Sequence, residues 1–510
     1  MDSFIVLFVA LPLAAAFIIP VIGRFTNVLN DKIASAVLLF LAGLAVYFAF
    51  WVEGQFVYAV GGWQPVYGVP IAIYLVLDGL STYLLLIINI IAFVSAFYSI
   101  SYMKRYTDEN NYYTLFCLMV AGMNGVVLSG DIFNLFVFLE IAAVASYALV
   151  AFGTEKPELE ATFKYQVLGG MASIFILLGI GLLYWITGTV NIADISRVLM
   201  HNTTPAVVFI QILFISSFGL KAAMIPFHAW LPDAHPSAPS PISAMLSGVL
   251  IKAVGVYVIF RLFFNMFIIT YEIALIITVI GSLSMAVGVV LAIGQWDVKR
   301  LLAYHSISQM GYVVLGVGVG MLVLARGGDR SIAALAIGGG LFHLFNHAVF
   351  KGLLFLNAGA VEYETGTRSL KRLGGLYEKM PVTYSTTLSS SMAISGIPPF
   401  NGFFSKLIII IATVKAGYYL ISFLAVLVSI VTLASFLKVL RYTFFTRPEP
   451  AGNREIREVP FTMCFSMVVL AVLCLTLSLL VVPDIRDIVL TPAVDVLLNT
   501  LDYSKTIVGY

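Results

Sequence analysis

"FGLKAAMIPFHAWLPDAHPSAPS", Phe218–Ser240, opens as an apolar segment suited to a membrane interior and then departs from that pattern. It carries Lys221, His228, His235, Asp233 and four prolines, the first of them Pro226. A charge at hydrocarbon depth is costly and is usually functional. A proline inside a helix removes a backbone hydrogen bond and interrupts the helix. Charge and interruption together read as one device: Pro226 frees carbonyls and opens room for water, and Lys221 gains and loses a proton in that gap. His228 and His235, beyond the interruption, rank as loop or entrance residues.

The surrounding sequence supports a membrane setting. Of 510 residues, 61% are hydrophobic and 11% charged, against roughly 25% charged in soluble proteins. Apolar runs such as Ile5–Ile22, Ala34–Val52, Tyr74–Tyr98 and Phe461–Val482 recur along the chain, and a crossing helix needs about 20 such residues. The fold class is therefore an all-α polytopic membrane protein. Fourteen spans are expected, centred near Ala14, Leu44, Ile88, Val120, Ala142, Leu177, Ile215, Leu250, Ile280, Leu315, Leu344, Ile397, Ser429 and Val469. The first lacks a basic leader and a small-residue cleavage site, and reads as a retained helix.

Basic residues are spread thinly among loops, which gives no nucleic-acid signal. Cys117, Cys464 and Cys474 are isolated and have neither metal-ligand nor disulfide spacing. If alternate loops from the Arg24–Lys32 connection onward are cytoplasmic, that side collects 16 Lys and Arg against 7 opposite. By the positive-inside rule both termini then face outward across the cell membrane.

Five lysines remain inside apolar runs: Lys221, Lys252, Lys351, Lys406 and Lys438. Glu140, in "FNLFVFLEIAAVASYAL", is equally displaced. An ammonium in low dielectric loses preference for its charge, and a nearby carboxylate restores it. Glu140 and Lys221 thus read as a proton-switching pair or as a static salt bridge, and the adjacent Pro226 favours the switch. Lys252 is too far from either end of its run for easy snorkelling and reads as an interior relay group. His343, His347 and Lys351 follow at i, i+4 and i+8, on one helix face. A titratable wire fits them better than a metal site, since the following lysine would repel a cation and no glutamate completes the zinc-protease motif. His305 either bridges the early lysines to these histidines or is a hydrogen-bonded structural residue. Asp78, Asp131 and Asp297 read as helix caps near span ends. "MIPFHAWL" (Met224–Leu231) and "GIPPFNGFF" (Gly396–Phe404) echo one another, which marks Pro398 and Pro399 as a second helix break beside Lys406. Such paired interruptions point to an ion or substrate site.

"GDIFNLFVFLEIAAVASYAL", "LKAAMIPFHAWLPDAHPSAPSPISAMLSG", "DVKRLLAYHSISQMGY", "FHLFNHAVFKGLLFLNAG" and "SGIPPFNGFFSKL" together resemble the proton-conducting antiporter-type membrane subunit family. That family includes antiporter-like subunits of complex I, Mrp A and D subunits, and their counterparts in membrane-bound hydrogenases. The resemblance implies two inverted five-helix repeats, each with a broken helix. The corresponding division is 1–110 for helices one to three, 111–265 and 266–446 for the repeats, and 447–510 for the last helix and tail. It also implies a relay of Glu140, Lys221, Lys252, His305, His343, His347, Lys351 and Lys406. Lysine at 406, where some complex I relatives carry glutamate, and histidine at 305, where many carry serine, favour the Mrp D and hydrogenase branch. The short sequence after the fourteenth span leaves no room for a long lateral helix.

The expected function is ion translocation, of protons with sodium as the alternative, within a multi-subunit membrane complex. Expected partners are other membrane subunits, including further antiporter-like ones, and hydrogenase or other redox subunits. No redox or hydrolytic chemistry, cofactor or metal is expected in this chain. A purely gradient-driven Na+/H+ antiporter without redox partners, and a stand-alone transporter of a small solute, are the competing expectations.

Overall fold

The computed structural model describes residues 2–26, 29–52, 54–63, 70, 72–106, 108–200, 204–446 and 456–499. Arg447, Arg454 and Lys505, counted above for orientation, lie outside the described residues. Eleven helices among those described are long and apolar enough to cross a membrane. Following α1 (Leu7–Gly23), a shorter apolar helix, they begin with α2 (Asn30–Trp51) and α3 (Gly79–Tyr102). A small antiparallel ribbon, β1 (Phe56–Ala59) with β2 (Tyr74–Leu77), links those two. α4 (Glu109–Leu128), α5 (Ile132–Val150) and α6 (Lys156–Thr187) follow, then the short α7 (Ile192–Leu199).

The stretch Phe218–Ser240 does not form one span. α8 (Pro205–Lys221) stops at the lysine, and α9 (Leu231–Ser237) resumes beyond the interruption. α10 (Ser240–Asn265), α11 (Tyr271–Ile293), α12 (Val298–Ala325) and the long α13 (Arg330–Thr365) come next. The second interruption separates α14 (Pro381–Ser395) from α15 (Asn401–Lys415), so the expected centre Ile397 falls between helices. α16 (Tyr419–Phe445), α17 (Phe461–Thr476) and the short α18 (Pro483–Val489) and α19 (Thr491–Leu498) complete the described chain.

Hydrophobic character alone does not say which helix lies inside, because lipid is as apolar as a leucine core. The polar residues decide it. α10 and α12 carry Lys252, Arg261, His305 and Gln309 and are buried on nearly every face, whereas α2, α16 and α17 present much of their surface outward. Close approach needs small residues: a Cβ on Gly340 of α13 would meet the Val313 carbonyl of α12 at 2.8 Å. The caps expected at Asp78, Asp131 and Asp297 are present, each carboxylate accepting a backbone N–H three residues on. Asp78 does more. It forms a two-pronged pair with Arg261 of α10 at 2.6 and 2.8 Å, and both side chains are buried. Arg261, counted above among loop charges, is thus a core residue.

Candidate functional site

Glu140 on α5 and Lys221 at the end of α8 meet, with Lys221 Nζ 3.3 Å from Glu140 Oε1. Ser173 of α6 completes the group: Lys221 donates to its hydroxyl at 3.0 Å, and that hydroxyl donates to Glu140. The lysine side chain is 3% exposed and the glutamate 31%, so the carboxylate stands on the rim and the ammonium inside.

The carbonyls of the last helical turn before the interruption are taken up by the chain itself. The Phe218 carbonyl accepts Ala222 N–H, that of Gly219 accepts Met224 N–H, and that of Leu220 accepts both Ala223 N–H and the Trp230 indole at 2.9 Å. Trp230 is itself fixed by stacking on Tyr165 of α6, ring centroids 4.2 Å apart. The small cavity beside the interruption is walled by apolar residues including Ile215, Met224 and Phe227. Ala223, at φ 54°, turns the chain out of the helix three residues before Pro226, and Trp230 takes up the Leu220 carbonyl.

Lys252 lies in a π-helical stretch, Lys252–Val256 following Leu246–Leu250. Such bulges are frequent at functional sites. Its ammonium donates to the Ser247 carbonyl at 2.7 Å. One turn on, Gly255 lets α10 approach Ala222, where a Cβ would come within 2.7 Å, so the Lys252 helix packs directly beside the Lys221 break. The Ser247 hydroxyl meets that of Ser306 on α12 at 2.7 Å, and Ser306 also reaches the Leu302 carbonyl at 3.0 Å. Lys351 of α13 donates to the same Leu302 carbonyl at 2.6 Å.

His347 stands one turn before Lys351 on α13, and both its ring nitrogens are buried without a protein partner. His343 hydrogen-bonds Ser405 through Nδ1 at 2.9 Å, next to Lys406. Tyr312 lies between them, its ring 5.5 Å from the His343 ring and 5.0 Å from Lys406 Nζ. Lys406 reaches back across the second break to the Ile394 carbonyl at 2.7 Å, the last turn of α14, where a cation complements the helix dipole. Pro226 and the pair Pro398 and Pro399 thus mark two breaks with different caps, an indole in the first and a lysine in the second.

Three further placements complete the picture, and that of His235 differs from expectation. His305 hydrogen-bonds Ser435 of α16 at 2.8 Å, while the neighbouring Ser306 meets Ser247 beside Lys252. His235 is no entrance residue: it is fully buried between the rings of Trp230 and Phe355. Its place follows from the short α9 folding back into the bundle, which the run of prolines conceals. Lys438 donates to the Ile293 and Gln295 carbonyls at 2.7 Å each, capping α11. Ser173, Ser247, Ser306 and Ser405 carry little mark in the sequence. Ser306 and Ser405 stand next to His305 and Lys406, the one local signal available, and Ser173 has none.

Residues 129–432 match the model of the family described as NADH:quinone oxidoreductase/Mrp antiporter, TM, and residues 63–113 match that of the complex I chain 5 N-terminus. All eight relay candidates lie within the longer match. The chain is 34% identical to NADH-quinone oxidoreductase subunit N of Desulforudis audaxviator over 83% of its length and 84% of that protein. It is 35% identical to the Na(+)/H(+) antiporter D subunit of Alkalihalophilus pseudofirmus, over 77% of each. Its fold superposes on a chain of the Mrp complex from Dietzia sp. with a TM-score of 0.89 at 28% identity, covering 100% of this chain and 99% of that one. The chain belongs to the NADH:quinone oxidoreductase/Mrp antiporter family of polytopic membrane subunits.

Proposed function

We propose that this chain is the proton-translocating subunit of a multi-subunit complex in the cell membrane. One observation carries the reading. Lys252, Lys351 and Lys406 are buried, and their ammonium groups are held by backbone carbonyls rather than by carboxylates. Carbonyl dipoles stabilise an ammonium without fixing a counter-charge, the arrangement in which a charge can come and go. At the head of the row, Glu140 supplies a carboxylate to Lys221.

In this mechanism protons enter from the cytoplasmic end near Lys252, load Lys221 under the control of Glu140, and pass by His347, Lys351 and His343 to Lys406, which governs release outside. His305 joins through Ser435. Unpartnered ring nitrogens on His235, His305, His343 and His347 favour bridging water, since buried polar atoms rarely go unsatisfied. Lys164, Lys299, Arg300 and Arg368 gather at one end of the bundle, and their ion pairs with Asp233, Glu362 and Asp297 support taking that end as cytoplasmic. Fourteen crossings, two inverted repeats at 111–265 and 266–446, and outward-facing termini are part of the same reading.

Replacing Lys221 or Glu140 with alanine is expected to abolish ion transport in membrane vesicles while leaving assembly intact; wild-type transport in both variants would overturn the scheme. The Na(+)/H(+) antiporter among the relatives favours a second source of drive, an imposed sodium gradient. Subunits that copurify with the chain separate the two: iron–sulfur or nickel proteins mean redox drive, and their absence from an active complex means exchange alone.

A further inference from the structure

A second cavity opens at the basic end of the bundle, away from the Lys221 break, between α12, α13, α14 and α16. Its volume is about 20 Å³, enough to admit one water. Arg368 stands at its mouth, held by Asp297 and Glu362 at 3.3 and 3.7 Å. Most of its wall is apolar, Leu302, Leu354 and Phe444 among it; Asn357, Thr387 and Thr443 add polar groups, and the Thr443 hydroxyl is buried with no protein partner.

Helical spacing shows where each wall leads. On α13, Leu354 and Ala358 line the cavity, and Lys351 lies one turn deeper on the same stripe, at i, i+3 and i+7. Val298 and Leu302 line it from α12; three residues further is His305, and Leu302 is the residue whose carbonyl holds Lys351. From α16 come Thr443 and Val439, and the next residue inward on that face is Ser435, the hydrogen-bond partner of His305. From α14 comes Thr387, and one turn deeper is Ser391, whose buried hydroxyl is also unpartnered. Four helices thus lead inward from one small cavity, to Lys351 on α13, to the His305–Ser435 contact between α12 and α16, and to Ser391 on α14.

We infer that this cavity is the vestibule of a second proton entry, separate from the one near Lys252, which delivers protons directly to Lys351 and His305. The inference rests on the proposed proton-translocating role. It gives the His305–Ser435 contact a route to the medium at the basic end. It also explains why a hydroxyl-rich face of α14 points into the bundle rather than outward.

The test uses Ala358→Phe, whose ring fills the cavity, and Thr443→Val, which removes the unpartnered hydroxyl at nearly constant volume, each in the full chain assembled with its partner subunits in membrane vesicles whose basic end faces the medium. Proton flux under an imposed pH gradient is expected to fall by at least about tenfold in both. Copurification of the partner subunits with each variant separates blockage from misfolding. Full flux in the assembled variants overturns the second entry. Lys221→Ala is measured alongside: wild-type flux in that variant overturns the proton-translocating reading itself, whereas loss there with full flux in the two cavity variants removes only the vestibule.

Discussion

Ser247 on α10 and Ser306 on α12 meet hydroxyl to hydroxyl at 2.7 Å, between a carbonyl that holds Lys252 and one that holds Lys351. Each lysine is anchored to the backbone on its own side, and the two serines close the distance between the anchors. A displacement at one lysine therefore reaches the other through two hydroxyls rather than through a charge. Ser306→Ala removes the link and leaves both lysines in place. Ion flux is expected to fall by roughly tenfold, the scale of one lost hydrogen bond. Ser247→Ala is expected to do the same, and the double variant no more than either alone. Additive losses in a double-mutant cycle would show that the hydroxyls act separately.

Ser173 stands between Lys221 and Glu140, accepting from one and donating to the other. Ser173→Ala should slow transport by roughly five- to tenfold and shift the pH profile of the rate, because the pair loses the hydroxyl that shares its proton. Glu140→Gln, which keeps a polar group but removes the charge, should cost more. An unchanged pH profile in Ser173→Ala would reduce the serine to a packing residue.

Arg261 and Asp78 tie α10 to the start of α3, and Asn265, one turn on, donates to the Val496 carbonyl of α19 at 2.9 Å. Leaving one partner of a buried pair alone costs about 3–5 kcal/mol, while replacing both by apolar residues is often neutral. Arg261→Met alone should sharply lower the melting temperature of the detergent-solubilised protein. Asp78→Leu together with Arg261→Met should recover most of it. No recovery in the double variant would mean the pair contributes more than its own neutralisation.

Asp131 caps α5 just outside the spans on either side, and burial pushes its carboxyl up from 3.8 to about 6. The folded protein then binds this proton more tightly than the unfolded chain does, so stability falls as pH rises between those values and stays lower above about 6. Asn caps helices as well as Asp does and carries no charge. Asp131→Asn should therefore match the parent near pH 4 and exceed it near pH 8 by on the order of 2 kcal/mol. Equal melting curves at both pH values would contradict this.

Much of the site is legible because a membrane makes ionisable residues conspicuous. Glu140, Lys221, Lys252, His343, His347, Lys351 and Lys406 each stand out against long apolar runs, and Pro226, Pro398 and Pro399 announce the breaks. The hydroxyl partners are not legible. A serine is common in any membrane helix, and nothing local separates Ser173 or Ser247 from Ser282, which only bonds back to its own helix. The burial of His235 is hidden for a related reason, since a proline-rich run reads as a loop whether it lies outside the bundle or folds into it.

The sequence by itself determined the helical class, the positions of the breaks and the identity of the charged groups, because hydropathy, proline geometry and ionisation are properties of single residues and short runs. Only the tertiary structure decided which groups touch. Lys252 and Lys351 are 99 positions apart in the chain, and they are linked through Ser247, Ser306 and the Leu302 carbonyl only because α10, α12 and α13 pack together. Lipid and core are equally apolar, so no pattern along one helix reveals which face meets another; the contacts of buried polar atoms settle that, and they exist only once the helices are assembled.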